Sequence, residues 1–136
     1  MRSVLLIGLL SGLIGTAHGA GAASLSQLQW QYRVIVVFAP TDTEAADHRD
    51  TLARSAGIAD RDIAWFVLGP TGPVVSNIEQ GIDREALVDL HAADGFETVL
   101  IGKDGGVKTR QTETFDLPAL FGEIDRMPMR QNEMQQ

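Results

Sequence analysis

Apolar positions gather in short runs that polar, turn-forming stretches separate. Val34–Phe38 is continuously apolar and β-branched, the pattern of a strand covered on both faces. Thr41-x-x-Glu44 follows as a capping box, opening a helix whose inner face carries Ala45, Leu52 and Ala56 and which Gly57 would stop. Ile63–Leu68 is a second apolar strand, so a strand–helix–strand unit with parallel strands and a right-handed crossover is expected. The connection Gly69–Ile82 is long and either irregular or functional, and Asp83 then caps a short helix with Ala86, Leu87 and Leu90. Phe96–Ile101 reads as a third strand. Asp104-Gly105 turns it into a fourth, Val107–Gln111, with Lys108 and Arg110 on one side guarding an exposed edge. Asp116 caps a last helix with Pro118 in its first turn. Its apolar face is Leu120, Phe121, Ile124 and Met127, and Pro128 ends it.

The predicted order is β-α-β-α-β-β-α, an α/β domain with a four-stranded mixed sheet, helices on both faces and Val34–Phe38 at its centre. Phe38 and Leu100 should be buried on neighbouring strands. Residues 33–127 make up the domain, 20–32 a lead-in with a helical turn packing Leu28 and Trp30, and 128–136 a polar tail.

The N-terminus changes the picture of where the chain works. Arg2, the apolar stretch Val4–Ile14 and the small residues Ala17 and Gly19 have the form of a secretory signal peptide, residues 1–19, cleaved before Ala20. The stretch is shorter than the roughly 20 residues a membrane span needs, so no stable membrane insertion is expected after cleavage. Cleavage would leave 117 of the 136 residues and take the formal charge from −7 to −8. The exported product is expected in the periplasm or secreted. An acidic chain without a basic run is a poor partner for nucleic acid.

The chain has no cysteine. Disulfides, thiol catalysis, thiolate metal sites and thiol–disulfide exchange are therefore excluded, and the core alone must hold the fold.

"WQYRVIVVFAP", "ADRDIAWFVL", "GFETVLIGKDGGVKTR" and "LPALFGEIDRMPMRQNEM" resemble the bacterial DUF4174 family over Leu28–Met134. That family is similar to the peroxiredoxin-like domains of some animal matrix and sushi-repeat proteins. The resemblance implies a thioredoxin-like fold. In redox thioredoxins paired cysteines follow the first central strand; here those places fall at Asp42 and Ala45. Where a cis-proline precedes the third strand, this chain has Glu97. The resemblance thus implies the scaffold without the thiol reaction, and a trans bond before Glu97.

The candidate ligand or partner site is the strand-to-helix junction Thr41, Asp42 and Thr43 together with Glu97, whose carboxylate is expected to close the junction to anions. Helix N-termini at strand ends present free N–H groups, though Thr41 would satisfy some of them here. Glu44 and His48 have the spacing of a metal pair but lack a third ligand, so no metal or other cofactor is expected. His91 is expected as a surface histidine near a helix end. Met127, Met129 and Met134 are soft ligands of the type that take Cu(I), or fill gaps at the end of the last helix. "GKDGGVK" lacks the order of a phosphate-binding loop and reads as a hairpin turn. The expected function is a binding or interaction module for an unknown protein or small molecule. The alternatives are a non-redox enzyme using Asp42, Thr43 and Glu97, and a methionine-based copper protein.

Overall fold

A computed structural model describes residues 24–136. The expected signal peptide and the first four lead-in positions, 20–23, lie outside the described residues. The strands are β1 (Arg33–Phe38), β2 (Ile63–Leu68), β3 (Val75–Ser76), β4 (Glu97–Ile101) and β5 (Val107–Gln111). The helices are α1 (Asp42–Arg54), α2 (Gly57–Asp60), α3 (Arg84–Val88), α4 (Leu117–Asp125) and α5 (Pro128–Met134), and a 3-10 turn spans Leu25–Leu28.

The strands form one mixed sheet in the order β3-β2-β1-β4-β5. β1 runs parallel to β2, Val34 opposite Ala64 and Phe38 opposite Leu68, and antiparallel to β4, Val34 opposite Ile101 and Phe38 opposite Glu97. Every residue of β1, β2 and β4 is buried, as the central, near-continuous apolar runs require. Alternation along the strands splits the core in two. Val36, Phe38, Phe66 and Val99 pack with Leu87 of α3 and Leu28 of the lead-in on one face. Ile35, Val37, Trp65 and Leu100 pack with Leu52 of α1 and with Leu120 and Ile124 of α4 on the other.

Phe38 and Leu100 are both buried on paired strands, on opposite faces of the sheet. Among the described residues no helix is long and apolar enough to cross a membrane.

Five expectations need correction. The sheet has five strands, not four, because Val75 and Ser76 in the long Gly69–Ile82 connection pair antiparallel with Val67 and Phe66. Two residues are too few for alternation to register, and Asn77 lengthens the pairing with its side chain, accepting from Trp65 N–H at 2.8 Å and donating to Ile63 C=O at 2.9 Å. Gly57 does not stop the first helix. α1 ends at Arg54, and Gly57 opens α2, where an added Cβ would meet the Arg61 guanidinium at 2.6 Å and the Phe121 ring at 2.7 Å.

Lys108 and Arg110 do not share a side. A bulge between Leu100 and Ile101 leaves Lys108 as the extra residue of β5, beside Thr109, which lies opposite Leu100 on the α4 face; Arg110 pairs with Val99 on the α3 face. Trp30 does not pack with Leu28: it is 63% exposed, with φ +71°, and its N–H donates to Lys103 C=O at 2.7 Å.

The polar tail, finally, is a helix. Pro128 ends α4 and at the same time occupies the first turn of α5, where its missing N–H costs nothing.

Candidate functional site

At the carboxyl end of β1 the expected cap of α1 forms, but only the Thr41 half of the expected capping box is made. Thr41 caps α1, its hydroxyl accepting from Glu44 N–H at 3.1 Å. Asp42 reaches across to the loop after β2, accepting from the Thr71 hydroxyl and from Thr71 N–H at 3.2 Å. Those two bonds, with Arg84 nearby, hold its carboxyl below the usual carboxylate range. Arg84 ties the same loop from the other side, donating to Gly69 C=O at 2.8 Å and Gly72 C=O at 2.7 Å. Thr43 is exposed. A hollow of about 310 Å³ lies between Asp42, Arg49 and Pro73.

Glu97 sits at the same end of the sheet but on the other face. It stands opposite Phe38, on the α3 side, whereas α1 covers the side of Ile35 and Val37. It is 1% exposed. One carboxylate oxygen accepts from Ala92 N–H at 2.7 Å and Ala93 N–H at 3.1 Å, and the other from Arg110 at 3.0 Å. Burial alone would raise its pKa; the two N–H donors and Arg110 outweigh that and hold it below the usual range. Glu97 therefore anchors the chain after α3 and does not shield the Thr41–Thr43 junction. The peptide bond before it is trans.

His91 is exposed, as expected, and its ring stacks on Phe38 with ring centroids 4.5 Å apart. His48 lies against Phe96 and Phe115 at 5.5 and 5.1 Å, and burial lowers its pKa despite Glu44 and Asp47. Met127 packs onto the α4 core, while Met129 and Met134 are exposed. Among the described residues no three histidine or acidic side chains converge as metal ligands.

The amino end of β1 carries a cluster that the sequence pattern does not reveal. Arg33 is 1% exposed and donates to both carboxylate oxygens of Glu133, at 3.1 and 3.2 Å, and to Arg61 C=O at 3.0 Å. Lys103 donates to the same Glu133 at 2.7 Å and to Asp62 at 2.9 Å. Arg130 of α5, also buried, pairs with Asp60 at 2.6 Å and Asp125 at 3.2 Å. Arg61 grips Asp125 with two bonds and lies 4.2 Å from the Phe121 ring centroid.

Burial disfavours the charged forms of Glu133 and Lys103, yet their partners prevail. Arg33 and Lys103 hold Glu133 below its usual range, and Glu133 and Asp62 raise Lys103. The pairs span up to 100 residues of chain, so no local spacing announces them. A cleft of about 500 Å³ opens beside the cluster, between the α4–α5 junction and the β4–β5 turn.

Chemically the two ends differ. At the carboxyl end, an exposed carboxylate that already takes two hydrogen bonds is a poor general base near neutral pH. A buried carboxylate with three donors offers nothing to a reactant. At the amino end the cations form both a clamp and one wall of an open cleft.

No curated protein and no solved structure matches the chain. A family model described as a domain of unknown function, DUF4174, matches residues 24–133, a span that takes in Asp42 and Glu97 at one end of the sheet and Arg33, Lys103 and Glu133 at the other. The chain belongs to the DUF4174 family.

Proposed function

We propose that this chain is an exported, thioredoxin-like domain without thiol chemistry, and that it works by binding. The order β2-β1-β4-β5, with a parallel central pair and two antiparallel strands beyond it, supports the thioredoxin-like reading; β3 adds a short edge. The signal-peptide pattern of residues 1–19 supports export. One observation carries the binding reading. Where a thioredoxin would hold its reacting cysteine, Asp42 closes the β2–β3 loop onto α1 through Thr71. The side chain at that place is thus tied up in holding the loop.

The test is photo-crosslinking in the native compartment, with a photoreactive residue introduced at Thr43 or at Arg126. A discrete adduct from one position is the expected result. Catalytic turnover that Asp42→Asn abolishes while the fold stays intact would overturn the reading. Export is checked by intact mass: the exported fraction should have lost residues 1–19, and retained Met1 and Arg2 would contradict it.

A further inference from the structure

We propose that the cleft between the α4–α5 junction and the β4–β5 turn binds a small amphipathic carboxylate, a ligand with one negative charge and an apolar body. The inference rests on the reading of the chain as a binding domain and names the ligand class. The cleft, about 500 Å³, falls in the range of sites that enclose small molecules.

Its apolar part is Met127, Pro128 and Met129. Met129 is 41% exposed, a large apolar side chain left facing water with its thioether free to adapt to a ligand's shape.

Its polar part is cationic in a chain of formal charge −7. Arg33, Lys103, Lys108 and Arg126 line it, against Asp104 and Glu123. These four cations are of two kinds. Arg33 and Lys103 are buried and locked by Glu133, so they form a fixed positive wall whose charge is largely compensated. Lys108 and Arg126 are exposed and hold only rim partners, Asp104 at 2.7 Å and Glu123 at 3.0 Å.

Ion pairs as exposed as these contribute little, so an incoming carboxylate can recruit either cation without breaking anything the fold depends on. The two reach the cleft from opposite sides, Lys108 from β5 and Arg126 from the end of α4. The bulge in β5 places Lys108 on this face while Arg110 turns to Glu97 on the other. Asp104 and Glu123 at the rim and Glu133 behind the wall limit the charge the cleft can accept. A single carboxylate fits that balance better than a dianionic phosphate.

The test is titration calorimetry of the exported chain with decanoate, kept below its micelle concentration, and with acetate, decanol and decyl phosphate as comparisons. One saturable site for decanoate is expected. Acetate and decanol should bind at least tenfold more weakly. Lys108→Gln with Arg126→Gln should weaken decanoate at least tenfold while the unfolding transition stays in place, and Met129→Asp should weaken it independently. No saturable decanoate binding, binding indifferent to the double substitution, or tighter binding of decyl phosphate would each overturn the proposal. A crosslinked adduct without decanoate binding would sink this inference and leave the binding-domain reading standing; absence of both would remove the two together.

Discussion

At the carboxyl end of β1 the carboxylates are held mainly by backbone N–H groups and a hydroxyl; at the amino end they are held by buried cations. Glu97 accepts from two N–H groups four and five positions away and from Arg110, and Asp42 accepts from the hydroxyl and N–H of Thr71. Glu133 instead takes its bonds from two buried cations, Arg33 and Lys103, 100 and 30 residues away. The first arrangement pins loops to the end of the sheet. The second fastens the last helix to the floor of the sheet, and in doing so it shapes an open cleft beside α4. The difference is that the carboxylate of the strand-to-helix junction is engaged internally, whereas the cleft of the proposed ligand lies at the opposite end.

The sharpest way to break this comparison is Glu133→Ala. It leaves Arg33 and Lys103 without their shared partner, and removal of one partner of a buried pair is costly. A quarter of the Glu133 side chain, 25%, still meets water, so the expected loss is about 2–4 kcal/mol in urea unfolding. A loss under about 0.5 kcal/mol, the size of an ordinary surface change, would mean that α5 is not fastened by this cluster.

Glu97→Gln tests the other end. It keeps the shape but removes the charge that takes three hydrogen bonds, and it should cost about 1.5–3 kcal/mol. Asp42→Asn should cost less than either, because the bond it weakens is solvent-exposed. If Asp42→Asn proved the most damaging of the three, the carboxyl end would be the more demanding site and the comparison would reverse.

The fold was legible to the extent that it rests on local pattern. Val34–Phe38 and Ile63–Leu68 announce buried strands because both faces are covered, and Asp116 announces its cap through Ala119 N–H at 3.0 Å. β3 escaped because its two residues, Val75 and Ser76, carry no period. α5 escaped because Pro128 reads as a stop until tertiary ion pairs supply what "PMRQNEM" lacks in apolar face. Thr41–Thr43 are marked by their capping spacing and Glu97 by the resemblance, but the partners Thr71 and Arg110 depend on the fold. Arg33 precedes the apolar run Val34–Phe38 with nothing local to mark it, and the approach of α5 makes it a buried charge.

pH separates the contributions further. Glu97, Glu133 and Asp125 have folded-state pKa values held below the ordinary 4.5 for glutamate and 3.8 for aspartate. The unfolded chain therefore binds more protons in acid, and the stability they supply is complete above those ordinary values and falls as pH drops through the folded ones. His48 adds a shallower loss, because its folded value lies below the usual 6.5 and the unfolded chain takes up its proton first as pH falls. Lys103 has a raised value, so its contribution disappears only as pH climbs past 10.5. Unfolding curves should be nearly flat from neutral pH to about 10, dip slightly below 6.5 and fall steeply below about 4.5. His48→Gln should remove the slight dip, and Glu133→Ala should reduce the steep fall more than Asp42→Asn does.

The most direct measurement of which end binds is an amide-shift map of the ¹⁵N-labelled exported chain during a decanoate titration. The account predicts saturable shifts at Lys103, Lys108, Arg126 and Met129, with Thr41–Thr43 and Thr71 unmoved. Saturable shifts centred on Thr41–Thr43 and Thr71, with the amino end still, would contradict it.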